Sequence, residues 1–273
     1  MRLYTTQGGE PNGDLPGRSE YAASADRRAV RQRLVVRSRL SKSGKTTGAL
    51  SAAKADGVLC LNFDQRNSTF YARRHFDPDG RIREPEMPPY EQGKQSTEML
   101  LNEVAVMYSQ AAESGQRPIW PTVVADPIGQ LHRRLLDDVS KRALKPTLDA
   151  YLDVTTIIGR WAKFMCDMPC NFVMVCHERP VKDEVEGGFV RLPFTGTTNP
   201  DLGQRLVEMV DVVAYCGRKE TPEGPRYVAQ LYNGNGRQGG DRFGVLGDFR
   251  EIDLAEWFQA IGNPSTTQQE EAA

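Results

Sequence analysis

The chain of 273 residues lacks any apolar run of about 18 residues or more, so we expect no membrane-spanning helix. Its opening residues, MRLYTTQGGEPNGDLPG, contain no apolar segment of the kind that secretory signals carry. These two absences predict a cytoplasmic protein without a membrane partner.

Cysteine and net charge are both scarce. The five cysteines lie mostly inside apolar runs, which is typical of reduced core thiols and not of a disulfide framework. The spacing Cys166-x-x-x-Cys170, with His177 nearby, would suit zinc, but no second ligand pair accompanies it. The formal net charge of −1 provides no general attraction to nucleic acid. The exception is an arginine-rich stretch at residues 27–39, which is either a solvated arm or a source of phosphate or subunit contacts.

Apolar strand-like segments alternate with helix-like segments between residues 31 and 262. We predict strands at 33–38, 57–63, 121–126, 171–177 and 210–217, and helices at 46–55, 95–114 and 129–167, the last interrupted near Pro146. A long surface excursion is expected at 66–94, and a late hairpin of 226–233 with 242–247 precedes a C-terminal helix. The alternation predicts an α/β fold with a mostly parallel sheet and helices on both faces. Residues 1–30 should form a flexible polar and basic arm, and residues 263–273 a disordered tail.

The stretch RLSKSGKTTGAL, residues 39–50, is typical of a phosphate-binding loop between a strand and a helix. In such loops backbone N–H groups bind the phosphates, a lysine contacts the outer phosphates and a hydroxyl binds Mg²⁺. The expected nucleotide-binding residues are Ser41, Lys42, Ser43, Gly44, Lys45, Thr46 and Thr47. Lys45 would be the phosphate lysine and Thr46 a metal ligand. Arg39 stands where the usual pattern has its first glycine, and the alternative is a lysine-capped turn without a ligand.

Two acidic strand ends supply the other parts of a nucleotide-hydrolysing site. PTVVAD ends in Asp126, which we assign as the second metal ligand or, alternatively, as a helix N-cap. LCLNFDQ ends in Asp64 and Gln65, and a carboxylate there would orient the attacking water. We prefer Asp64 in this catalytic role, with a surface turn as the alternative.

The order of these segments resembles that of the RecA/RadA-like ATPases. The shared pattern is a strand, SGKTT, a strand ending in an acid, VVAD, a long helix and then VMVCHE. The segments HERP, RLPFTGTT and LVEMVDVV resemble in particular the phage-encoded ATPases of single-strand annealing recombination, the Sak type, and the likeness covers residues 33–250. The resemblance implies a RecA-like P-loop NTPase core, ATP and Mg²⁺ as cofactors, and ATP hydrolysis at the interfaces of a homo-oligomeric ring or filament inside a bacterial host.

The resemblance also assigns family roles to single residues. His177 matches the position of a γ-phosphate sensor, with an exposed strand-end histidine as the alternative. The family's DNA-binding loops match residues 132–150 and 178–199. The expected DNA contacts there are basic residues: Arg133, Arg134, Lys141, Arg142, Arg179, Lys182 and Arg191. Phe189 and Phe194 would stack on bases, whereas the acidic run DEVE in the second loop opposes phosphate contacts.

GGDRFG, residues 239–244, resembles the KNRFG motif of RadA proteins. Arg242 matches the basic residue that reaches the ATP of a neighbouring subunit. Gly240 replaces the family's lysine, so one cation remains where the family has two. The alternative is a turn whose arginine faces solvent.

The sequence therefore predicts an ATPase that is stimulated by single-stranded DNA, with Lys45, Asp64, His177 and Arg242 as its catalytic residues. A phage or host single-strand-binding protein is a further expected partner. Two alternatives stay open. One is a nucleotide-binding assembly protein with little hydrolysis, and the other is a small-molecule kinase or DNA-packaging ATPase with the same loop.

Overall fold

One sheet of ten strands runs through the part of the chain that the structure describes. This computed structural model describes residues 32–38, 43–64, 67–87, 97–140, 146–182, 187–197, 200–222, 224–234 and 238–262. The strands are β1 (Arg33–Ser38), β2 (Val58–Asn62), β3 (Ile82–Arg83), β4 (Thr122–Asp126), β5 (Asn171–Lys182), β6 (Phe189–Phe194), β7 (Val212–Thr221), β8 (Gly224–Gln230), β9 (Gly240–Asp241) and β10 (Phe249–Glu251).

The α-helices within these ranges are α1 (Lys45–Leu50), α2 (Phe70–Phe76), α3 (Thr97–Ser114), α4 (Ile128–Val139), α5 (Leu148–Asp167), α6 (Asp201–Met209) and α7 (Leu254–Gly262). The predicted helix 46–55 ends early, because Ser51 Oγ donates to the Gly48 carbonyl and a 3₁₀ segment, Ser51–Lys54, follows. The predicted interruption near Pro146 separates α4 from α5. None of the helices described is both long and apolar enough to cross a membrane.

The centre of the sheet is parallel. The strand order is β10-β8-β7-β1-β5-β4-β2-β3, and β6 and β9 pair with β5 and β7. From β7 to β3 each strand is parallel to its neighbour, so the carboxyl ends of these strands meet at one edge. This topology confirms the predicted RecA-like α/β class with a mostly parallel sheet. The predicted limits of the ATPase core, residues 31 and 262, stay a prediction.

Two apolar cores cover the two faces of the sheet. Val35 of β1 packs in the core that contains α3, α4, α5 and α6, whereas Leu34 and Val36 pack in the core that contains α1 and α7. This alternation follows from the period of two along a strand. β2 and β4 are buried along their whole length, which explains their continuous apolar sequences. Packing from both sides therefore fixes the position of β1 and of the loop that follows it.

The expected surface excursion at 66–94 is more regular than predicted. Its described part, residues 67–87, contains α2 and the edge strand β3. β3 pairs in parallel with β2 through Ile82, which is buried in the α1-side core. One apolar side chain within a polar segment was too weak a signal to predict this strand.

A late hairpin is present, but its strands are β7 and β8. Residues 215–221 of β7 pair antiparallel with residues 224–230 of β8. The predicted partner of β8, residues 242–247, forms a turn instead. The Asp241 carboxylate accepts hydrogen bonds from the backbone N–H groups of Phe243, Val245 and Leu246. Because these donors are used within the turn, they are not available for a strand ladder, and β8 pairs with β10 on that side.

β5 is longer than predicted. It continues past His177 to Lys182 and pairs antiparallel with β6. We call residues 178–182 and 189–194 the hairpin arm. Within the segment that was expected to be a DNA-binding loop, 178–199, residues 178–182 and 189–194 are therefore paired strands, and the acidic residues 183–186 lie outside the described residues.

Helix α6 lies so close to the hairpin arm that a Cβ on Gly203 would be 2.5 Å from the Pro193 carbonyl oxygen. We expect Gly203→Ala to lower the free energy of unfolding by about 1–3 kcal/mol, because the clash involves backbone. In α5, a Cβ on Gly159 would meet Leu202 Cδ1 at an ordinary 3.6 Å. The matched Gly159→Ala should raise the free energy of unfolding by about 0.5–1 kcal/mol. Urea unfolding measures both, and effects of the same sign would contradict this packing.

Candidate functional site

The loop after β1 enters helix α1 through a left-handed residue. Gly44 is the N-cap of α1 and has a φ of 82°. Residues with a side chain rarely adopt this conformation, so the backbone requires glycine immediately before Lys45. Ser43 to Thr47 of the predicted loop are described, whereas Arg39, Ser41 and Lys42 lie outside the described residues.

Lys45 is held inside the protein. The residue is 7% exposed, and its Nζ donates to Ser43 Oγ at 3.2 Å. Burial lowers the pKa of Lys45, and the negative charges of Asp126 and Glu178 oppose that shift. An ammonium in such surroundings is stabilised by any further anion, and a phosphate bound at this loop would provide one.

Thr46 and Asp126 are joined by a hydrogen bond. Thr46 Oγ1 donates to Asp126 Oδ2 at 2.6 Å, which connects the start of α1 to the end of β4. The N-cap of α4 is Pro127, so Asp126 precedes the cap position that was its alternative assignment. Burial raises the pKa of Asp126 to about 6, the Thr46 bond and Lys45 oppose this rise, and the charges of Asp64 and Glu84 add to it.

The Thr46–Asp126 pair fits Mg²⁺. Magnesium prefers hard oxygen ligands, and proteins usually bind it through one or two side chains together with substrate phosphates and water. No group of three or more His, Cys, Asp or Glu side chains that could hold a metal ion occurs in the described ranges. A magnesium ion at this pair would therefore depend on the phosphates of a nucleotide for its remaining ligands.

Asp64 lies in a turn that is anchored to β4. The Phe63 N–H donates to the Asp126 carbonyl at 2.7 Å, and the Asp64 N–H donates to Asn62 Oδ1 at 3.3 Å. Asp64 is half-buried and close enough to Asp126 to raise the pKa of that carboxyl. The residue predicted to orient water thus lies at the same sheet edge as Thr46. Gln65, its alternative, lies outside the described residues.

His177 lies at the same edge, where β5 passes beside the end of β1 and pairs with Ser38. Burial and the positive charge of Lys45 lower the pKa of His177. The neutral imidazole is therefore favoured at neutral pH, and a neutral ring can donate one hydrogen bond to a phosphate oxygen.

A pocket of about 710 Å³ opens beside the start of α1. Thr47 and Gly48 of α1 form part of its wall, and the aromatic side chains of Tyr71, Phe76 and Tyr227 line it. Tyr227 packs directly on the loop, since a Cβ on Gly44 would lie 2.8 Å from its ring. An aromatic pocket next to a phosphate-binding loop has the shape and chemistry to hold a nucleobase.

Arg242 lies beside the amino ends of the parallel strands, opposite to the carboxyl ends where Lys45 lies. Its N–H donates to the carbonyl of Asp211, the residue before β7, and its Nη2 donates to the Glu208 carbonyl at 2.9 Å. Its Nη1 is 3.7 Å from Asp211 Oδ1, and the side chain is 59% exposed. Lys45 follows the other end of the parallel strands, which at about 3.3 Å per residue lies some 15 Å or more away. Arg242 therefore lies far from the loop of its own chain.

The predicted DNA contacts on α4 divide into one exposed and one buried residue. Arg133 is exposed. Arg134 is 3% exposed, and its Nε donates to the Phe63 carbonyl at 2.9 Å. The expectation that Arg134 contacts DNA does not fit this position, because its guanidinium holds the turn that carries Asp64. Lys141 and Arg142 lie outside the described residues.

The basic residues of the hairpin arm are partly engaged with the protein itself. Arg179 Nη1 donates to the Thr197 carbonyl at 2.9 Å, and its guanidinium lies 6.0 Å from the Phe194 ring centre. Arg191 forms an ion pair with Glu178 at 3.1 Å. Lys182 is exposed, and Phe189 is 67% exposed. The arm thus presents an exposed lysine and an exposed aromatic ring at its outer part.

Sequence reasoning missed Glu84, which follows β3 and accepts hydrogen bonds from Asn62, Thr69 and Arg73. The sequence signal for Glu84 was a single apolar residue, Ile82, two positions before the acid. Such a residue can form a short parallel strand, and a side chain that follows the carboxyl end of a parallel strand lies at the edge of the sheet where sites form. It also missed the aromatic pocket, whose walls come from four distant segments of the chain.

One comparison with known proteins identifies a family. The model of a family described as an AAA domain, AAA_24, matches residues 40–243. No curated protein matches the chain. Among solved structures, the KaiC-like protein PH0186 from the hyperthermophilic archaeon Pyrococcus horikoshii OT3 has 9% identity and a TM-score of 0.40, with 74% of this chain and 80% of that chain covered. The flagellar accessory protein FlaH from Methanocaldococcus jannaschii has 9% identity and a TM-score of 0.39, with 77% and 79% covered.

Asp126→Asn should stabilise the nucleotide-free protein. Because burial raises the pKa of Asp126 from 3.8 to about 6, the ionised carboxylate at neutral pH is less stable in the folded state than in the unfolded chain. The neutral amide still accepts from Thr46, so we expect a gain of up to about 3 kcal/mol at pH 8. The gain is fully present above the folded pKa of about 6 and vanishes as the pH falls to the unfolded value of 3.8.

Urea unfolding at pH 8 and pH 5 measures this difference. Asp153→Asn, at an exposed position of α5, changes the net charge equally and is the control. A gain that is the same at both pH values would contradict the account.

Proposed function

The chain belongs to the AAA domain family AAA_24, and from this premise we propose that it binds ATP with Mg²⁺ and hydrolyses the nucleotide. The observation that carries the proposal is the 2.6 Å hydrogen bond between Thr46 and Asp126, beside the buried Lys45. A lysine, a hydroxyl and a carboxylate from the ends of two parallel strands are the groups that phosphoryl transfer needs on one side of a nucleotide.

Each residue at this edge has a role in the proposed reaction. Lys45 binds the outer phosphates, and Thr46 and Asp126 hold Mg²⁺, which neutralises phosphate charge when bound. Asp64 orients a water molecule and accepts its proton as the water oxygen bonds to the terminal phosphorus. The bond from that phosphorus to its bridging oxygen breaks, and ADP leaves with the electron pair. His177, which is half-buried and whose lowered pKa favours the neutral ring, donates to a γ-phosphate oxygen.

The pocket beside α1 receives the base of the nucleotide. Thr47 and Gly48 belong both to the loop helix and to the pocket wall, so phosphates at Lys45 would direct the nucleoside into it. Tyr71 and Tyr227 provide aromatic surfaces for the base.

Arg242 acts on the nucleotide of a neighbouring copy. It is far from the loop of its own chain, and its guanidinium is exposed while it contacts Asp211 at 3.7 Å and the Glu208 carbonyl. A cation that reaches the γ-phosphate from a second subunit stabilises the charge of the transition state. This role requires a head-to-tail homo-oligomer, which closes as a ring or continues as a filament.

The ATPase binds single-stranded DNA during its hydrolytic cycle. The hairpin arm continues β5, the strand that contains His177, and it carries the exposed residues Lys182 and Phe189. A cation and an aromatic ring are the two contacts that sequence-independent binding of single strands uses. Annealing or recombination in a phage, with a single-strand-binding protein as a further partner, rests on the sequence resemblance alone.

ATP turnover tests the proposal. We expect Lys45→Ala and Asp126→Asn each to lower kcat by about 100-fold or more. Lys45→Ala removes a cation from the phosphates, and Asp126→Asn weakens the site for the Mg²⁺ that would neutralise them. Lys163→Ala, which removes an exposed lysine on α5, is the control and should retain wild-type turnover. Equal turnover of wild type and Lys45→Ala would overturn the assignment of the site.

The same assay separates hydrolysis in one chain from hydrolysis between chains. Arg242→Ala alone should be as inactive as Lys45→Ala. A mixture of the two variants regains activity, because one interface in it combines an intact loop with an intact Arg242. If Arg242→Ala alone is as active as wild type, Arg242 has no part in the reaction. If Arg242→Ala is inactive and the mixture stays inactive, Arg242 does not act between chains. Wild type that binds ATP without turning it over would favour a nucleotide-gated assembly protein.

Single-stranded DNA binding tests the role of the hairpin arm. Lys182→Ala should reduce the slope of log affinity against log salt by about 0.7, because one phosphate contact is lost. Phe189→Ala should weaken binding by about 1–3 kcal/mol with an unchanged salt slope, because it removes stacking. Fluorescence anisotropy with a labelled oligonucleotide measures both, with Lys163→Ala as the control. Unchanged affinity of both arm variants would exclude the arm as the DNA contact.

A further inference from the structure

Glu84 joins two parts of the candidate site that are separate in sequence. Its Oε1 accepts from Asn62 Nδ2 at 2.8 Å. Its Oε2 accepts from Thr69 Oγ1 at 2.9 Å and from Arg73 Nη2 at 3.0 Å. The carboxylate belongs to the residue after β3, at the same sheet edge as Asp126.

The first branch of this network leads to Asp64. Asn62 is 2% exposed, and it is the last residue of β2, paired with Asp126 of β4. While its amide nitrogen donates to Glu84, its Oδ1 accepts from the Asp64 N–H. Glu84 therefore fixes the rotation of the Asn62 amide, and that amide fixes the turn in which Asp64 lies.

The second branch leads to the pocket beside α1, which we propose receives the base of the nucleotide. Thr69, which is 5% exposed, is the N-cap of α2, and Arg73 lies one turn into this helix. Between them, Tyr71 lines the pocket beside Gly44. The two bonds to Glu84 hold α2 against the end of β3, and the position of the Tyr71 ring follows from the position of the helix.

The chemistry of the three donors requires a carboxylate at this position. An amide, a hydroxyl and a guanidinium all donate, and an ionised carboxylate is an acceptor on both of its oxygens. A glutamine at position 84 would turn its NH₂ group toward at least one of these donors. The replacement is isosteric, so it breaks the hydrogen-bond pattern without removing packing volume.

We propose that Glu84 is a positioning residue of the nucleotide site, which holds Asp64 through Asn62 and the base-binding helix α2 through Thr69 and Arg73. The inference rests on the proposed ATPase function. One carboxylate then sets both the orientation of the attacking water and the position of the base.

The two branches predict different kinetic effects. Glu84→Gln should lower kcat and raise the KM for ATP, each about tenfold, because hydrogen bonds to a charged acceptor are lost in both branches. Asn62→Ala should lower kcat with little change in KM. Thr69→Val should raise KM with little change in kcat, and it removes no cap, since the Thr69 side chain makes no capping bond. Glu86→Gln, an exposed carboxylate two residues further on, is the matched control and should stay within about twofold of wild type.

Double variants test the connection itself. Asn62→Ala added to Glu84→Gln should lower kcat no further, and Thr69→Val added to Glu84→Gln should raise KM no further. Additive effects would show that the three residues act independently and would overturn the proposal. Equal kinetics of Glu84→Gln and Glu86→Gln would also overturn it. If Glu84→Gln does not fold, Arg73→Gln, at a 43% exposed side chain, should still raise KM about threefold with kcat unchanged, and wild-type kinetics of this variant would count against the proposal.

The result distinguishes this inference from the function on which it rests. Failure of the proposed function appears in Lys45→Ala, which would then turn over ATP as wild type does. Failure of the Glu84 proposal leaves Lys45→Ala inactive and wild type active, with Glu84→Gln unchanged.

Discussion

The hydrogen bond between Thr46 and Asp126 is the contact on which the site depends. It joins the loop after β1 to the end of β4, although β5 lies between these strands in the sheet. Two strand spacings separate β1 from β4, about 10 Å. Helix α1 must therefore leave β1 toward β4 and pass over the end of β5, and this brings Lys45 close to His177. The left-handed Gly44, covered by Tyr227, allows the chain to turn in that direction.

The same contact concentrates buried charge at one edge of the sheet. Burial raises the pKa of Asp126 and lowers the pKa of Lys45, so both groups are less stable as ions than they would be in water. A nucleotide with its metal ion would relieve both, because phosphate charge would compensate the ammonium and the metal would compensate the carboxylate. The nucleotide-free protein is thereby prepared for a ligand, and ligand binding should stabilise it.

The parts of the site that sequence reasoning found lie within single segments. A glycine, a lysine and two threonines follow one another between a strand and a helix, and Asp126 and Asp64 each end an apolar strand. Glu84 could not be found in this way, because its role depends on the pairing of the two-residue strand β3 with β2. Arg134 was misread because every basic residue in the segment that matches the family's first DNA-binding loop was taken as a DNA contact. Its spacing of three residues from the buried Leu131 put it on the inner face of α4.

Nucleotide affinity at different magnesium concentrations tests the central claim most directly. Calorimetric titration of wild type with a non-hydrolysable ATP analogue, with Mg²⁺ and with a chelator, compares the two states without relying on turnover. The account predicts that Mg²⁺ strengthens binding to wild type, and that Thr46→Ala removes most of this gain while Thr155→Ala, on α5, keeps it. Binding that is equally strong with and without Mg²⁺ would contradict the assignment of Thr46 and Asp126 as the metal-binding pair.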